Sequence, residues 1–107
     1  MEKEIRKIIW TLPAKNELQN IYNFLSEISE IIAYKQIGRI VNQVEHLQAQ
    51  FITIGQKEPL LLNKIFEYHY LIQDNYKIIY RFTKDEVIIN RVFDTRQNPK
   101  KLKKYLK

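Results

Sequence analysis

The stretch that decides the fold reads YKIIYRFTKDEVIINRVFDTRQNP and occupies residues 76–99 of this 107-residue chain. Apolar and polar side chains alternate along it in two runs, which is the period of a half-buried β-strand. Lys84-Asp85 separates the two runs, and Asp74-Asn75 separates the first of them from a similar run upstream; Asp and Asn tolerate the positive φ of tight turns. The sequence therefore predicts an antiparallel meander with strands at Phe66–Gln73, Tyr76–Thr83 and Glu86–Asp94.

The residues before this meander predict one strand and a pair of helices. Alternation from Lys3 to Trp10 indicates a first strand, and a helix follows from Pro13 to Ser26, because proline suits a first helical turn. Ser29 can cap a second helix that runs from Ile31 to Gln50. Each helix has an apolar stripe at spacings of three and four, namely Ala14, Leu18, Ile21 and Leu25, then Ala33, Ile37, Ile40, Val44, Leu47 and Phe51.

The predicted fold class is α+β. An N-terminal strand, an antiparallel two-helix hairpin and a three-stranded antiparallel meander form one compact domain over residues 1–98, and a short basic tail occupies residues 99–107. The helix pair is expected to cover one face of the meander. Gly38 in the second helix lowers helix stability by up to about 1 kcal/mol relative to alanine, unless close packing requires the missing side chain.

Composition excludes several classes of function. The chain has no cysteine, which rules out disulfides and thiolate zinc sites. Its two histidines are far apart and no carboxylate cluster has metal-ligand spacing, so we expect neither a metal nor a cofactor. No apolar run approaches the ~20 residues that cross a bilayer, and the N-terminus does not resemble a secretory signal. We therefore expect a cytoplasmic protein without a membrane partner.

The net charge is concentrated at the C-terminus. The chain has 18 Lys/Arg and 12 Asp/Glu, and while residues 1–95 carry 12 of each sign, residues 96–107 carry six basic residues and no acid. A basic tail of this kind indicates a polyanionic partner; the alternative is a solubilising tail without a specific partner. The tail residues expected to bind the target are Lys100, Lys101, Lys103, Lys104 and Tyr105, the last by stacking on a base.

Four cations on or beside the meander form the candidate active site. Lys77 and Arg81 are four residues apart on one strand, so they project from the same face. If the other face packs on the helices, these two lie on the open side of the sheet, where Arg91 and Arg96 can reach the same area. Guanidinium groups bind phosphate in a bidentate way, which predicts a phosphate site. Its catalytic candidates are Lys77, Arg81 and Arg96, and Arg91 is a candidate for binding the nucleic acid or other target. The alternative is a solvated strand face without a ligand.

Other side chains are candidates for acid–base chemistry or for the core. His69 would serve as a general base if it faced the open side of the sheet; otherwise it is an ordinary strand histidine. Asp94 ends the last strand beside Arg96, where it would orient that arginine, act as an acid–base group or close an Asx turn. Tyr76 and Tyr80 are expected to be core residues.

Three pieces of the chain together resemble the RelE/ParE superfamily of toxins from bacterial type II toxin–antitoxin modules. They are IxWTxxAxxELxxIYxFL at Ile8–Leu25, YKIIYRF at Tyr76–Phe82 and VIINRVFDTRQNPKKL at Val87–Leu102, in the order that the family has. The resemblance implies a small α/β toxin that its antitoxin wraps. It also implies one of two activities, since RelE-like members cut mRNA in the ribosomal A site and ParE-like members poison DNA gyrase.

The resemblance further implies roles for individual residues. The family's strand arginine corresponds to Lys77 and its arginine after the last strand to Arg96, both of which would stabilise a charged phosphate. The two lysines of RelE correspond to Tyr68 and Tyr70, which favours a ParE-like or divergent activity. Some family nucleases use a Glu/His/Tyr set, whose counterparts here would be Glu67, His69 and Tyr105.

The sequence thus predicts a toxin that inhibits growth either by ribosome-dependent mRNA cleavage or by gyrase poisoning. If it is an enzyme, it is a metal-independent mRNA endoribonuclease. Its partners would be a cognate antitoxin with an acidic or amphipathic segment, and either the ribosome with its mRNA or DNA gyrase. Two alternatives come from other classes: an inactive toxin-like interaction module, and a generic RNA-binding domain whose affinity falls steeply with salt.

Overall fold

The computed structural model describes residues 5–48, 56–57 and 66–96. In chain order the elements are β1 (Lys7–Trp10), α1 (Leu12–Ser26), α2 (Glu30–Glu45), β2 (Gln56–Lys57), β3 (His69–Gln73), β4 (Tyr76–Phe82) and β5 (Glu86–Asp94). The predicted basic tail at residues 99–107 lies outside the described residues. The order of a strand, two helices and a meander confirms the predicted α+β class.

The described strands form one sheet in the order β1-β5-β4-β3-β2. The meander β3-β4-β5 is antiparallel, as predicted. The N-terminal strand β1 adds to it beside β5 in parallel, from the pair Lys7–Glu86 to the pair Trp10–Ile89. The two-residue β2 pairs with β3 and has no counterpart among the predicted strands.

Side-chain caps start both helices, and the cap of the second is the predicted Ser29. The hydroxyl of Thr11 accepts a hydrogen bond from the Ala14 N–H at 3.4 Å, and the hydroxyl of Ser29 accepts one from the Ile32 N–H at 3.3 Å. Each bond satisfies an amide that has no partner within the helix. Thr11 also donates from its hydroxyl to the carbonyl of Ile89 at 2.8 Å, so the start of α1 is fixed to the middle of β5.

Several elements are shorter than predicted, and backbone hydrogen bonds explain why. The Arg6 N–H donates to the carbonyl of Gln48, which ties the entrance of β1 to the turn after α2, so that β1 begins at Lys7. The predicted start of this strand at Lys3 lies outside the described residues. The same turn ends α2 at Glu45, before the predicted Gln50.

At the other side of the sheet, the ladder between β3 and β4 starts at the pair of His69 with Tyr80, so β3 begins three residues later than predicted. Strand β4 ends at Phe82 because the N–H of Thr83 donates to the Glu86 carbonyl and closes the turn. The bounds of β5 are those predicted.

The main core lies between the helix pair and one face of the sheet. Its buried residues are Ala14, Ile40, Val44, Leu47, Tyr76, Ile78, Tyr80, Val87, Ile89 and Val92. The prediction that Tyr76 and Tyr80 are core residues is confirmed, and burial raises the pKa of Tyr80 to about 12. A smaller cluster of Tyr68, Ile79 and Phe93 is buried on the outer face of the sheet, the face away from the helices.

Gly38 does not serve close packing. A Cβ atom placed on it would have nothing within 4 Å. The glycine is therefore a weak point inside α2, of the size that helix propensities give, rather than a contact that the fold requires.

Candidate functional site

Lys77 and Arg81 lie on the outer face of the sheet. Between them Ile79 joins the smaller cluster, whereas the neighbouring Ile78 joins the main core, so the predicted facing of β4 is confirmed. Each cation lies over an aromatic ring: Lys77 Nζ is 4.6 Å from the ring centroid of Tyr70, and Arg81 Cζ is 4.1 Å from that of Phe66. Because the ring quadrupole attracts cations, both side chains are held against the sheet.

Tyr68 connects the aromatic side chains of this face to Arg81. It is buried in the smaller cluster, and that burial raises its pKa, an effect that the positive charge of Arg81 opposes. Phe66 packs edge-on against Tyr68 with their ring centroids 6.4 Å apart. The outer face near Arg81 is therefore a surface of cations and aromatic rings.

Arg91 does not reach the outer face, so the predicted convergence of four cations is wrong. Strand β5 has a bulge at Asn90, where its register with β4 shifts. The guanidinium of Arg91 turns toward α1, where Nε donates to the two carboxylate oxygens of Glu17 at 3.0 and 2.9 Å and Nη2 donates to Oε2. The backbone N–H of Val92 donates to the same carboxylate at 2.8 Å. Only 12% of the Arg91 side chain is exposed, so this ion pair is nearly buried.

Arg96 is also paired with a carboxylate, on the helix side of the sheet rather than beside Lys77 and Arg81. Its Nε donates to Oδ1 of Asp94 at 2.9 Å, and its Nη2 donates to Oδ2 at 2.7 Å. These hydrogen bonds lower the pKa of Asp94, so the carboxylate orients Arg96. The Arg96 side chain nevertheless remains 59% exposed.

Arg91 and Arg96 line a groove between α1 and the end of β5, which we call the α1–β5 groove. It has a volume of about 530 Å³. Its lining residues are Glu17, Asn20, Ile21 and Phe24 of α1, with Tyr76, Arg91, Val92, Asp94 and Arg96. Asn20 and Ile21 lie three and four residues after Glu17 and four and three residues before Phe24, which places all four on one face of the helix.

His69 faces the helices and not the open side of the sheet, so the condition for its predicted role there is not met. Its ring stacks on Tyr80 with centroids 5.9 Å apart, and 7% of its side chain is exposed. Nε2 lies 3.0 Å from Oε2 of Glu67, whereas Nδ1 is buried without a hydrogen-bond partner. Both residues line a small cleft of about 170 Å³ at the end of the strands, together with Phe66, Arg81 and Phe82.

The predicted target-binding residues of the tail, Lys100, Lys101, Lys103, Lys104 and Tyr105, lie outside the described residues. Within the part of the chain that the structure describes, no group of three or more His, Asp or Glu side chains is placed to hold a metal ion. No helix in that part is both long and apolar enough to cross a bilayer.

Sequence reasoning missed Glu17 and Phe24. Glu17 carries an ordinary charge on a helix, and nothing local shows that a strand arginine 74 residues later is its partner. Phe24 has no separate sequence signal, because its spacing of three from Ile21 is that of the apolar stripe, and only the structure shows that it is 61% exposed. A large apolar side chain beside a groove indicates an interaction surface.

Comparison with known proteins places this fold. A solved structure titled "Chromosomal ParDE TA system from P. aeruginosa" matches with a TM-score of 0.67 and 24% identity, over 84% of this chain and 96% of that chain. No curated protein sequence matches. Residues 8–99 match the family described as "ParE toxin of type II toxin-antitoxin system, parDE". The chain belongs to this ParE toxin family, which confirms the resemblance to the RelE/ParE superfamily.

Proposed function

We propose that this protein is the toxin of a type II toxin–antitoxin pair and that it stops growth in the ParE-like way, by poisoning DNA gyrase in the cytoplasm. Family membership over residues 8–99 supports the toxin class. In this proposal an antitoxin partner keeps the toxin inactive until the antitoxin is lost.

The observation that carries the gyrase target is the separation of the four cations. RelE-like cleavage requires positive side chains that converge on one phosphate, where they stabilise developing charge. Here Arg91 is bound by Glu17 and Arg96 by Asp94 on the helix side of the sheet, whereas Lys77 and Arg81 lie over rings on the outer face. The family resemblance also implies that Tyr68 and Tyr70 correspond to the two lysines of RelE. This arrangement suits a binding surface better than a nuclease centre.

Ribosome-dependent mRNA cleavage is the second candidate, and one contact favours it. His69 Nε2 lies 3.0 Å from a Glu67 oxygen in the small cleft that Arg81 also lines. A carboxylate-oriented histidine beside an arginine is a minimal set for attack by a ribose 2′-hydroxyl on its phosphate. The low exposure of His69 argues against it, since substrate would have to displace the covering side chains.

One experiment separates the two targets. Purified toxin is incubated with gyrase and supercoiled plasmid in one assay and with translating ribosomes in another. We expect trapped cleaved DNA in the gyrase assay and no new mRNA 5′ ends in the ribosome assay. Glu67→Gln is the matched variant, because the Glu67 side chain is 61% exposed and can change without loss of the fold. We expect it to trap gyrase as the wild type does. New mRNA ends that disappear in Glu67→Gln would establish the nuclease instead.

Expression of the chain alone in a bacterium tests the broader class. A toxin should arrest growth, and co-expression of the neighbouring gene should relieve the arrest. Growth without arrest would favour the inactive interaction module, and salt-sensitive binding to free RNA without arrest would favour the RNA-binding domain.

A further inference from the structure

Helix α2 has a second stripe of residues that points away from the core. The buried residues of the helix are Ala33, Gln36, Ile40 and Val44. On the opposite side, at spacings of three and four, lie Ile31, Tyr34 and Gly38, which we call the outer α2 stripe. Ile31 is 68% exposed and Tyr34 is 76% exposed. Large apolar side chains in the middle of the solvent face of a helix indicate a surface where another molecule packs.

Gly38 suits such a surface. A Cβ atom placed on it would have nothing within 4 Å, so the glycine leaves open space on the outside of the helix. Glycine lowers helix stability relative to alanine, and no packing contact within the described residues offsets that loss. A second helix laid along the outer α2 stripe would use the space, because the missing side chain lets two backbones approach closely.

Two charged residues flank the outer α2 stripe on opposite sides, Glu30 and Lys35. Both are exposed, and neither forms an ion pair within the part of the chain that the structure describes. They are five residues apart, so they do not face each other on their own helix, where neighbours are three and four apart. Between two parallel helices that share a heptad seam, however, charges at this spacing on the two flanks do meet.

We propose that two copies of this chain associate along α2, with the two helices parallel about a two-fold axis. Ile31, Tyr34 and Gly38 of one copy then pack on the same three residues of the second copy, at the heptad positions a, d and a. Glu30 of each copy pairs with Lys35 of the other, so the same contact forms twice, as two-fold symmetry requires. This inference goes beyond the proposed toxin function and depends neither on gyrase nor on an antitoxin.

The charges favour a second copy over an unrelated partner. Glu30 and Lys35 are of opposite sign, and parallel pairing of identical helices places each beside its opposite without any further residue. The contact is short, since three seam residues span only two turns of helix. We therefore expect a weak dimer, with a dissociation constant on the order of 10 µM.

Sedimentation equilibrium of the purified full chain, from about 1 to about 200 µM, measures this association. Ile31→Asp should weaken it at least about tenfold, because it places a charge in the seam. Leu12→Asp is the matched control, since Leu12 is also 68% exposed and also lies in the first turn of its helix. It should associate within about twofold of wild type. A wild-type chain that stays monomeric over this range, or a dimer that Ile31→Asp leaves unchanged, would overturn the proposal.

Exchange of the two charges tests the pairing itself. Glu30→Lys and Lys35→Glu should each weaken self-association by about tenfold, because each brings two like-charged pairs together. An equimolar mixture of the two variants should associate within about threefold of wild type, because every pair between unlike copies is again of opposite sign. Lys15→Glu, which makes the same change at an exposed position of α1, is the control and should associate as wild type does. A mixture no tighter than the single variants would overturn the pairing of Glu30 with Lys35.

A single cysteine tests the parallel orientation. The chain has no cysteine, so Tyr34→Cys introduces the only thiol. In parallel pairing two copies of position 34 face each other, within the Cα separation of about 6 Å that a disulfide spans. Mild oxidation should therefore give a covalent dimer of Tyr34→Cys and little of the control Leu12→Cys. Equal cross-linking of the two variants would overturn the parallel arrangement, and thermal unfolding of every variant verifies that the fold is retained.

Discussion

Cationic side chains on the two faces of the sheet have different partners. On the helix side Arg91 and Arg96 are bound by carboxylates, Glu17 and Asp94. On the outer face Lys77 and Arg81 lie over the rings of Tyr70 and Phe66. Burial explains the partner of Arg91, because a guanidinium that is only 12% exposed needs a counter-charge. Arg96 is 59% exposed, and its partner Asp94 is simply a near neighbour in the chain.

The two faces of the sheet also differ in the size of their buried apolar clusters. Ile78 and Ile79 are neighbours on β4, both fully buried, but Ile78 belongs to the large cluster between helices and sheet and Ile79 to the small outer cluster. The helix side therefore provides most of the stability, and the outer face is the side whose residues can change with less effect on the fold. Matched substitutions on the two faces test that division.

The largest effect should come from Ile78→Ala compared with Ile79→Ala. Removing a buried isoleucine side chain costs about 2–5 kcal/mol, and the cost is higher where the cavity cannot collapse. We expect about 4 kcal/mol for Ile78→Ala and about 2 kcal/mol for Ile79→Ala in the free energy of unfolding from urea denaturation. Ile72→Ala, at a residue 48% exposed, should cost less than about 1 kcal/mol. Equal losses for Ile78 and Ile79 would break the comparison between the faces.

The second effect concerns the two ion pairs on the helix side. Glu17→Ala should lower the free energy of unfolding by about 3 kcal/mol, because it removes the counter-charge of a nearly buried guanidinium and the acceptor of the Val92 N–H. Asp94→Ala removes the partner of the exposed Arg96 and should cost under about 1 kcal/mol. Replacement of both Glu17 and Arg91 by leucine should recover much of the loss. Similar losses for Glu17→Ala and Asp94→Ala would contradict the role assigned to burial.

The sequence predicts the fold well because its signals are local. The alternation along β4 and the cap at Ser29 depend on near neighbours in the chain. The wrong predictions are those for the ends of strands and helices, because these depend on contacts with residues far away in the chain. Strand β1 begins at Lys7 because the amide of Arg6 is taken by Gln48, and no short-range pattern contains that bond.

The candidate site is predicted less well for the same reason. Spacing within one strand places Lys77 and Arg81 correctly on one face. The prediction that Arg91 reaches the same area is wrong because Glu17 of α1 binds its guanidinium, a contact that the pattern along β5 does not contain. A bulge has no dependable sequence signal when it contains no glycine, and an ion pair across 74 residues has none.

A smaller effect links pH to the contact between α2 and the β3–β4 turn. Asp74 accepts hydrogen bonds from Gln73, Gln36 and Arg39, in that order of influence, and they lower its pKa from the usual 3.8. A carboxyl with a lowered pKa in the folded state stabilises the fold above its unfolded pKa, and that contribution is lost as pH falls through the folded value. Asp74→Asn should therefore be less stable than wild type at pH 7, and the two stabilities should converge below about pH 3.8.

Asp74 is 41% exposed, so the difference at pH 7 should stay below about 1 kcal/mol after solvent screening. Asparagine is the suitable replacement because position 74 has φ 56, a backbone conformation that Asn tolerates. Urea denaturation of both proteins at a series of pH values gives the two curves. A gap that widened toward acid pH would contradict the direction assigned to the Asp74 carboxyl.

The smallest effect should come from the contact of Arg81 with Phe66. A double-mutant cycle of Arg81→Gln and Phe66→Leu should give a coupling of about 0.5 kcal/mol, since the Phe66 ring is 43% exposed and a cation–π contact at such a site is weak.

Arg81→Gln should also raise the pKa of Tyr68 further, because burial already raises it and the charge of Arg81 opposes that rise. Ultraviolet titration measures this shift independently of stability once the curve of the matching Tyr68→Phe variant is subtracted to remove the other six tyrosines. Lys84→Gln is a control that leaves the outer face unchanged. If the Tyr68 pKa did not rise in Arg81→Gln, Arg81 would not lie where it can act on the outer cluster, and the contrast between a carboxylate-paired side and a ring-paired side of the sheet would be lost.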